Sequence, residues 1–132
     1  MVLEAIAGTP LQLYVSTFYQ EGGAPDFDAG IKEYINTNSE ALAANGGNDT
    51  ISAVTAMGFD AYYVALEAMK KADSVNKTDL MNILGSVTYE GVSGAIAFDD
   101  IGDAVRDTAF IKTADTANGA WVLETVQTGS AS

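Results

Sequence analysis

The longest segment with a consistent helical pattern runs from Asn48 to Ala72 and predicts one long helix. Residues Asn48–Thr50 are expected to cap its start, because short polar side chains accept hydrogen bonds from the free N–H groups of a first turn. Lys70 and Lys71 place positive charge at its end, where it suits the helix dipole. At 1.5 Å per residue this helix would be about 36 Å long.

Apolar residues lie on two sides of this predicted helix. They are Val54, Met57, Ala61, Val64 or Ala65, and Ala68 on one side, and Phe59, Tyr62, Leu66 and Met69 on the other. A helix that is apolar nearly all round is buried between layers, so this segment is predicted to be the core helix. Its length overlaps that of a membrane span, but Asp60 and Glu67 in its middle argue against one.

Upstream, the pattern predicts a helix end, a strand and a second helix. Val2–Ala7 would end a helix before Gly8 and Pro10, and Leu11–Phe18 has the β-branched and aromatic content of a strand. The second helix is predicted over Asp26–Asn38. Asp26 would cap it, and its inner face would carry Phe27, Ile31, Tyr34 and Ile35. Ser39–Ala44 either prolongs it or forms a separate turn.

Downstream, the period changes from helical to alternating. A short helix is expected from Thr78 to about Gly85, with Leu80, Ile83, Leu84 and Val87 facing inward. Two hairpins should follow, the first joining Thr88–Val92 to Ala95–Phe98 and the second joining Thr108–Thr113 to Ala120–Val126. The fold class is therefore α/β, with helices followed by C-terminal β-hairpins, in one partial domain over residues 1–127. Residues 128–132 are expected to form a disordered tail.

Charge narrows the range of partners. The chain of 132 residues has six basic and eighteen acidic residues, a net charge of −12. Nucleic-acid binding depends on basic patches, and anionic membrane surfaces attract basic segments, so both partners are disfavoured. The simplest role of the charge is to keep the protein soluble.

Several kinds of chemistry are excluded by composition. The chain has neither cysteine nor histidine, so it offers no disulfide, thiolate nucleophile, histidine base or ordinary zinc site. The acidic cluster DDIGD at 99–103 does not match the calcium-binding EF-hand pattern and is interpreted as a turn. No base, nucleophile or cofactor site can be named, so an enzyme is not expected. Val2–Gly8 lacks the features of a signal peptide, which favours a cytoplasmic protein or a piece of a larger one.

Three segments together resemble the periplasmic solute-binding proteins of branched-chain amino-acid ABC transporters. GFDAYYVALEAMKKA (58–72) resembles that family's GYDA helix. Residues 78–107, TDLMNILGSVTYEGVSGAIAFDDIGDAVRD, are similar to a family segment that contains the motifs FEGVTG and FD-x-NGD. Residues 110–126, FIKTADTANGAWVLETV, are similar to the family's final hairpin. YVSTFY (14–19) and FDAGIKEYINTN (27–38) lie where the family has a strand leaving the hinge and the helix after it.

The resemblance implies an incomplete Rossmann-like lobe, covering the C-terminal third of a two-lobed binding protein. It implies an extracytoplasmic receptor that closes its lobes around a small polar solute, an amino acid, and delivers it to the membrane permease of an ABC transporter. The sensing domain of a membrane receptor and a self-standing oligomeric module without ligand binding are alternatives. An isolated part of such a fold would expose apolar faces, so a dimer or a domain-swapped assembly is expected.

Four ligand-binding positions follow from the resemblance. The family often has an aromatic residue four positions before the glycine of its G-[FY]-D-A motif, and this chain has Val54 there, followed by Thr55. Phe18 and Tyr19 follow the strand that leaves the hinge and would line the mouth of the cleft. The solute itself is not predicted.

Overall fold

The computed structural model describes residues 2–129 and divides the chain into two compact units. Unit 1 contains the two ends of the chain, up to Gln20 and from Asp107, and unit 2 contains Glu21–Arg106. In chain order the elements are α1 (Val2–Ile6), β1 (Tyr14–Thr17), α2 (Pro25–Thr37), α3 (Ser39–Ala44), α4 (Ala53–Ala72), α5 (Lys77–Leu84), β2 (Tyr89–Gly91), β3 (Gly94–Phe98), β4 (Ala104–Val105), β5 (Thr108–Asp115) and β6 (Ala120–Thr128).

Unit 1 is built on an antiparallel sheet with the order β1-β5-β6. The second predicted hairpin is confirmed as β5 and β6, with an irregularity at Ile111/Lys112. The predicted strand is shorter than expected, because only Tyr14–Thr17 pairs with β5 in register. Thr128 belongs to β6 and was assigned to the tail; residues 130–132 of that tail lie outside the described residues.

Helix α2 confirms the helix predicted near residues 26–38, but its start differs. Pro25 occupies the first turn and Ala24 makes no side-chain cap, so the prediction that Asp26 caps the helix is wrong. Proline suits this place because its missing N–H has no intrahelical partner there. Phe27 and Ile35 are buried as predicted, whereas Tyr34 is exposed. Helix α3 is separate from α2, since the side chain of Asn38 caps it.

Helix α4 is the longest helix, with 20 residues and a length of about 30 Å. It begins later than predicted. Ser52, rather than the Asn48–Thr50 segment, accepts a hydrogen bond from the N–H of Thr55, so the predicted cap is wrong. Its end is as predicted, with Lys70 and Lys71 in the last turn, followed by Asp73 in the left-handed conformation.

Only one stripe of α4 is buried, so the prediction of a helix covered nearly all round is wrong. The buried positions are Ala56, Asp60, Val64 and Ala68, which recur every fourth residue. Val54 is 77% exposed and Tyr62 is 62% exposed, although both lie on sides predicted to be inward. Tertiary packing therefore decides which apolar side of the helix is covered.

The core of unit 2 lies between α4, α5 and the β2–β3 hairpin. Its centre is Val64, Ala68, Val87 and Ile96, and Leu80, Ile83, Leu84, Tyr89 and Phe98 pack around it. This confirms the predicted inner face of α5. A row of aromatic rings, Phe27, Phe59, Tyr63 and Tyr89, extends the packing from α2 across α4 to β2, with neighbouring centroids 4.9 to 6.1 Å apart.

The small sheet of unit 2 has the order β2-β3-β4, and its first two strands confirm the predicted hairpin. Gly94 has a φ of 101°, a conformation that glycine adopts readily and that lets the chain reverse after Ser93. The short strand β4 was not predicted. Within residues 2–129, none of the helices combines the length and apolar character that crossing a membrane requires.

Candidate functional site

Two of the predicted ligand-binding residues, Val54 and Thr55, lie together in the first turn of α4. The hydroxyl of Ser52 lies 3.0 Å from that of Thr55 and accepts a hydrogen bond from the Thr55 N–H at 3.2 Å. Val54 beside them is largely exposed. The turn therefore presents an apolar side chain next to two hydroxyls, a combination that suits a small molecule with both polar and apolar groups.

The other two predicted residues, Phe18 and Tyr19, directly follow β1 in unit 1. Phe18 is 40% exposed, which leaves much of its ring accessible. Tyr19 is only 3% exposed, so the protein covers nearly all of its side chain. Phe18 and Tyr19 lie in unit 1, whereas Val54 and Thr55 lie in unit 2. Ligand binding by each pair therefore remains a separate prediction.

The loop before α4 is held in place by Glu21. One carboxylate oxygen of Glu21 accepts a hydrogen bond from the N–H of Ile51 at 2.7 Å, and the other lies 2.8 Å from the amine of Lys32. The hydrogen bond to Glu21 raises the pKa of the Lys32 amine. Because Ile51 directly precedes Ser52, this contact fixes the approach to the first turn of α4.

The largest fully buried side chain among the described residues is that of Asp60, in the middle of α4. Its carboxylate accepts hydrogen bonds from the N–H groups of Val92 and Ser93, both at 2.8 Å, and from the Ser93 hydroxyl at 2.5 Å. These donors form the turn between β2 and β3. Burying a carboxylate is costly unless it is hydrogen-bonded, so this arrangement explains how an acidic residue occupies the core.

Two neighbours complete the network around Asp60. A Cβ placed on Gly91 would lie 2.5 Å from Oδ1 of Asp60, so only glycine leaves room for the carboxylate. Nη1 of Arg106 donates to the carbonyl oxygen of Ser93 at 2.9 Å and to its hydroxyl at 3.0 Å. The resulting Asp60–Ser93–Arg106 network joins α4, the hairpin turn and the end of unit 2. Because the buried polar groups of this network are hydrogen-bonded to one another, we interpret it as a structural element rather than a reactive site.

Partial burial raises the pKa of the nearby Tyr89 phenol, and the negative charge of Asp60 adds to this effect. Tyr89 stacks on Tyr63, with ring planes only 2° apart. The neutral phenol is therefore favoured at physiological pH, so this tyrosine contributes packing and not charge.

An open depression of about 360 Å³ lies beside the last turn of α4. Its lining includes Glu67, Lys70, Lys71 and Ser86. The hydrogen bond from Lys70 to Glu67 raises the pKa of the Lys70 amine, and Lys71 donates to the carbonyl oxygen of Ser86. Both amines thus have hydrogen-bond partners in the protein, a carboxylate for Lys70 and a backbone carbonyl for Lys71.

The DDIGD segment forms the predicted turn. Oδ1 of Asp99 accepts hydrogen bonds from the N–H groups of Ile101 and Asp103, at 3.0 and 2.8 Å. This carboxylate therefore organises its own loop. Across the part of the chain that the structure describes, no three acidic residues are arranged to hold a metal ion.

Asp60, Arg106 and Glu21 were not identified from the sequence as key positions. A single aspartate within an otherwise apolar helical segment is a usable signal, because a carboxylate there must find donors if it is buried. The identity of those donors is not readable from local pattern, since Ser93 is 33 residues away.

Comparison with solved structures identifies a similar fold. A leucine-binding protein from Thermotoga maritima matches with a TM-score of 0.61 and 24% sequence identity. The match covers 95% of this chain but only 32% of that protein, so the chain spans about a third of its length. No protein-family model and no curated protein matches the sequence. The comparison supports the expected fold class: a mixed α/β structure, similar to part of a periplasmic-binding-protein lobe.

Proposed function

We propose that this chain is part of an extracytoplasmic solute-binding receptor that delivers a small polar solute, an amino acid, to the permease of an ABC transporter. The observation that carries the proposal is the fold similarity to a leucine-binding protein over 95% of the chain. In the whole receptor, two lobes would close around the solute by a hinge motion, and no covalent bond would be made or broken.

The first turn of α4 is the part of the proposed site that can be tested most directly. The hydroxyl of Thr55 would donate a hydrogen bond to the solute, and Val54 would contact its apolar part. Phe18 and Tyr19 remain a separate prediction within unit 1, where the exposed Phe18 is better suited to ligand contact than the buried Tyr19. Hydrogen bonds to a charged group contribute about 1.5–3 kcal/mol, so loss of the Thr55 hydroxyl should have a measurable effect.

We expect branched-chain amino acids to shift the backbone amide resonances of Val54 and Thr55 in a nuclear magnetic resonance titration. Thr55→Val should weaken the binding about tenfold, a change of roughly 1.4 kcal/mol, because valine keeps the shape and removes the hydroxyl. Thr128→Val, on an exposed part of β6, is the matched control and should bind as the unchanged chain does. Absence of any shift with millimolar leucine, isoleucine, valine or polar amino acids would contradict the proposal for this chain.

A self-standing oligomeric module is the second candidate, and one observation favours it. Helix α4 exposes an uncharged stripe at helical spacing, made of Val54, Met57, Gly58, Ala61, Tyr62 and Ala65. Exposed apolar patches of this kind drive association, because covering them removes apolar surface from water. This stripe is where the expected dimer would form.

We expect the chain to self-associate at micromolar concentration and Tyr62→Glu to weaken this association at least tenfold, because it places charge on the stripe. Light scattering and sedimentation velocity measure the effect. Val75→Glu is the matched control, since Val75 is 83% exposed in a loop after α4 and adds the same charge elsewhere. The stripe would be excluded as the interface if the parent chain were monomeric, or if Tyr62→Glu and Val75→Glu weakened self-association equally.

A further inference from the structure

Two asparagines of the chain are followed directly by glycine, in the pairs Asn45–Gly46 and Asn118–Gly119. An Asn–Gly pair is open to an intramolecular reaction, because glycine has no side chain to keep its backbone nitrogen away from the side-chain amide carbon of the asparagine. Attack by that nitrogen releases the asparagine amide as ammonia. The two pairs are alike in sequence, so their surroundings decide how fast each reacts.

The pair Asn45–Gly46 is held by the fold of unit 2. Nδ2 of Asn45 donates to the carbonyl oxygens of Asn48 and Thr50, at 2.8 and 2.9 Å. The N–H of Gly46 donates to the carbonyl oxygen of Ala43 at 3.1 Å, at the end of α3. The attacking nitrogen and the leaving nitrogen are therefore both engaged, and the reaction must give up all three hydrogen bonds.

The pair Asn118–Gly119 is exposed in the loop between β5 and β6, in unit 1. Gly119 has a φ of 64°, and its N–H has no hydrogen-bond partner among residues 2–129. Nδ2 of Asn118 donates to Oδ2 of Asp115 at 2.7 Å. The attacking nitrogen is thus free, and one hydrogen bond holds the leaving nitrogen.

We propose that Asn118 is a site of spontaneous deamidation and that the fold protects Asn45 from the same reaction. In the first step the Gly119 nitrogen loses its proton and bonds to Cγ of Asn118, the Cγ–Nδ2 bond breaks, and Nδ2 leaves with a proton as ammonia. The product is a cyclic succinimide. Water then adds to either of its ring carbonyl carbons and opens the ring, which gives aspartate through one carbon and isoaspartate through the other.

The reaction removes a contact that closes the end of the hairpin. The carboxylate of Asp115 accepts hydrogen bonds from the N–H groups of Ala117 and Asn118, both at 3.1 Å, and from Nδ2 of Asn118. The bond from the Asn118 side chain is the largest cause of the lowered pKa of Asp115. Aspartate at position 118 replaces this donor by a second carboxylate, and like charges repel. Isoaspartate lengthens the backbone of the loop. Deamidation therefore loosens the loop and the adjoining ends of β5 and β6.

The test compares the two asparagines within the same full chain, without ligand, so its outcome is independent of the proposed receptor function. The chain is incubated in mildly alkaline buffer, with and without denaturing urea, and then digested with trypsin. Cleavage after Lys32, Lys70 and Lys112 puts Asn45 and Asn118 on separate peptides. Tandem mass spectrometry of these peptides follows the loss of ammonia at each asparagine.

In the folded chain Asn118 should react about tenfold faster than Asn45 or more, because only Asn45 has both reacting nitrogens engaged within the folded backbone. In urea the two rates should agree within about twofold, since unfolding removes the hydrogen bonds that distinguish the pairs. Equal rates in the folded chain, or a faster reaction at Asn45, would overturn the inference. A rate ratio that urea leaves unchanged would overturn it as well, because the fold would then not be the cause.

The variant Asn118→Asp reproduces one product and tests the effect on the hairpin. Amide hydrogen exchange at residues 120–122 should accelerate about tenfold, because the end of the hairpin opens more often. Asn82→Asp adds the same charge at an exposed position of α5 and should leave this exchange unchanged. Exchange at residues 120–122 that is the same in the parent chain and in Asn118→Asp would contradict the loosening of the hairpin.

Discussion

Asp60→Asn should destabilise unit 2 by about 3 kcal/mol, because it replaces one acceptor oxygen of a buried carboxylate that accepts three hydrogen bonds by an NH₂ group, which can only donate. The asparagine side chain has one oxygen and one NH₂ group, whereas the two Asp60 oxygens face the N–H groups of Val92 and Ser93 and the Ser93 hydroxyl. In either orientation one pair of donors would face each other in a site without exposed surface. The loss is large beside the 5–15 kcal/mol that usually stabilises a domain.

Urea unfolding followed by circular dichroism at 222 nm measures this loss, since helices α2–α5 all belong to unit 2. Fluorescence of Trp121, in β6, reports on unit 1 in the same experiment. Asp100→Asn is the control, because it removes the same charge from an exposed turn and should change stability by less than about 0.5 kcal/mol. Equal stabilities of the two variants would contradict the structural role of Asp60.

Gly91→Ala should destabilise unit 2 by about 3 kcal/mol through steric conflict with Asp60. The added Cβ would lie 2.5 Å from Oδ1 of Asp60, so the carboxylate must move and lose hydrogen bonds to the turn. The effect should appear in the helical circular-dichroism transition. It should also largely disappear in an Asp60→Ala background, because the group that the new methyl meets is then absent.

Gly58→Ala provides the matched control within the same unit. A Cβ at Gly58 meets no atom within 4 Å, and the residue lies inside α4. Alanine is favoured over glycine in a helix, so this variant should be more stable by about 0.5–1 kcal/mol. If both glycine variants changed stability in the same direction and by the same amount, the conflict at Gly91 would not be the cause.

Local pattern was sufficient for most of the helices and both hairpins. Helix α5 and its end at Gly85 follow from helical spacing, and the β2–β3 turn follows from the Ser93–Gly94 pair. In these segments the residues that decide the structure are neighbours in sequence. The element boundaries were less accurate. Pro25 occupies the first turn of α2 and Ser52 caps α4, whereas Asp26 and Asn48–Thr50 were predicted to cap these helices.

Contacts between distant residues could not be predicted in this way. The side chain of Asp60 was considered an obstacle to a membrane span, yet the fold buries it against a turn more than 30 residues later. The pairing of β1 with β5 joins segments separated by the whole of unit 2. The candidate ligand positions depended on family resemblance alone, since Val54 and Phe18 have no local pattern that distinguishes a binding residue from a packing residue.

The pairing of β1 with β5 also has a consequence for folding kinetics. Leu13 and Thr113 are hydrogen-bonded although they are 100 residues apart, so the sheet of unit 1 requires the closure of a very long loop. Closing a long loop costs entropy and slows folding, whereas the contacts of unit 2 form within a shorter stretch of chain. We therefore expect unit 2 to form before β1 pairs with β5. During synthesis on the ribosome, β1 must wait without its partner until unit 2 and β5 have both emerged.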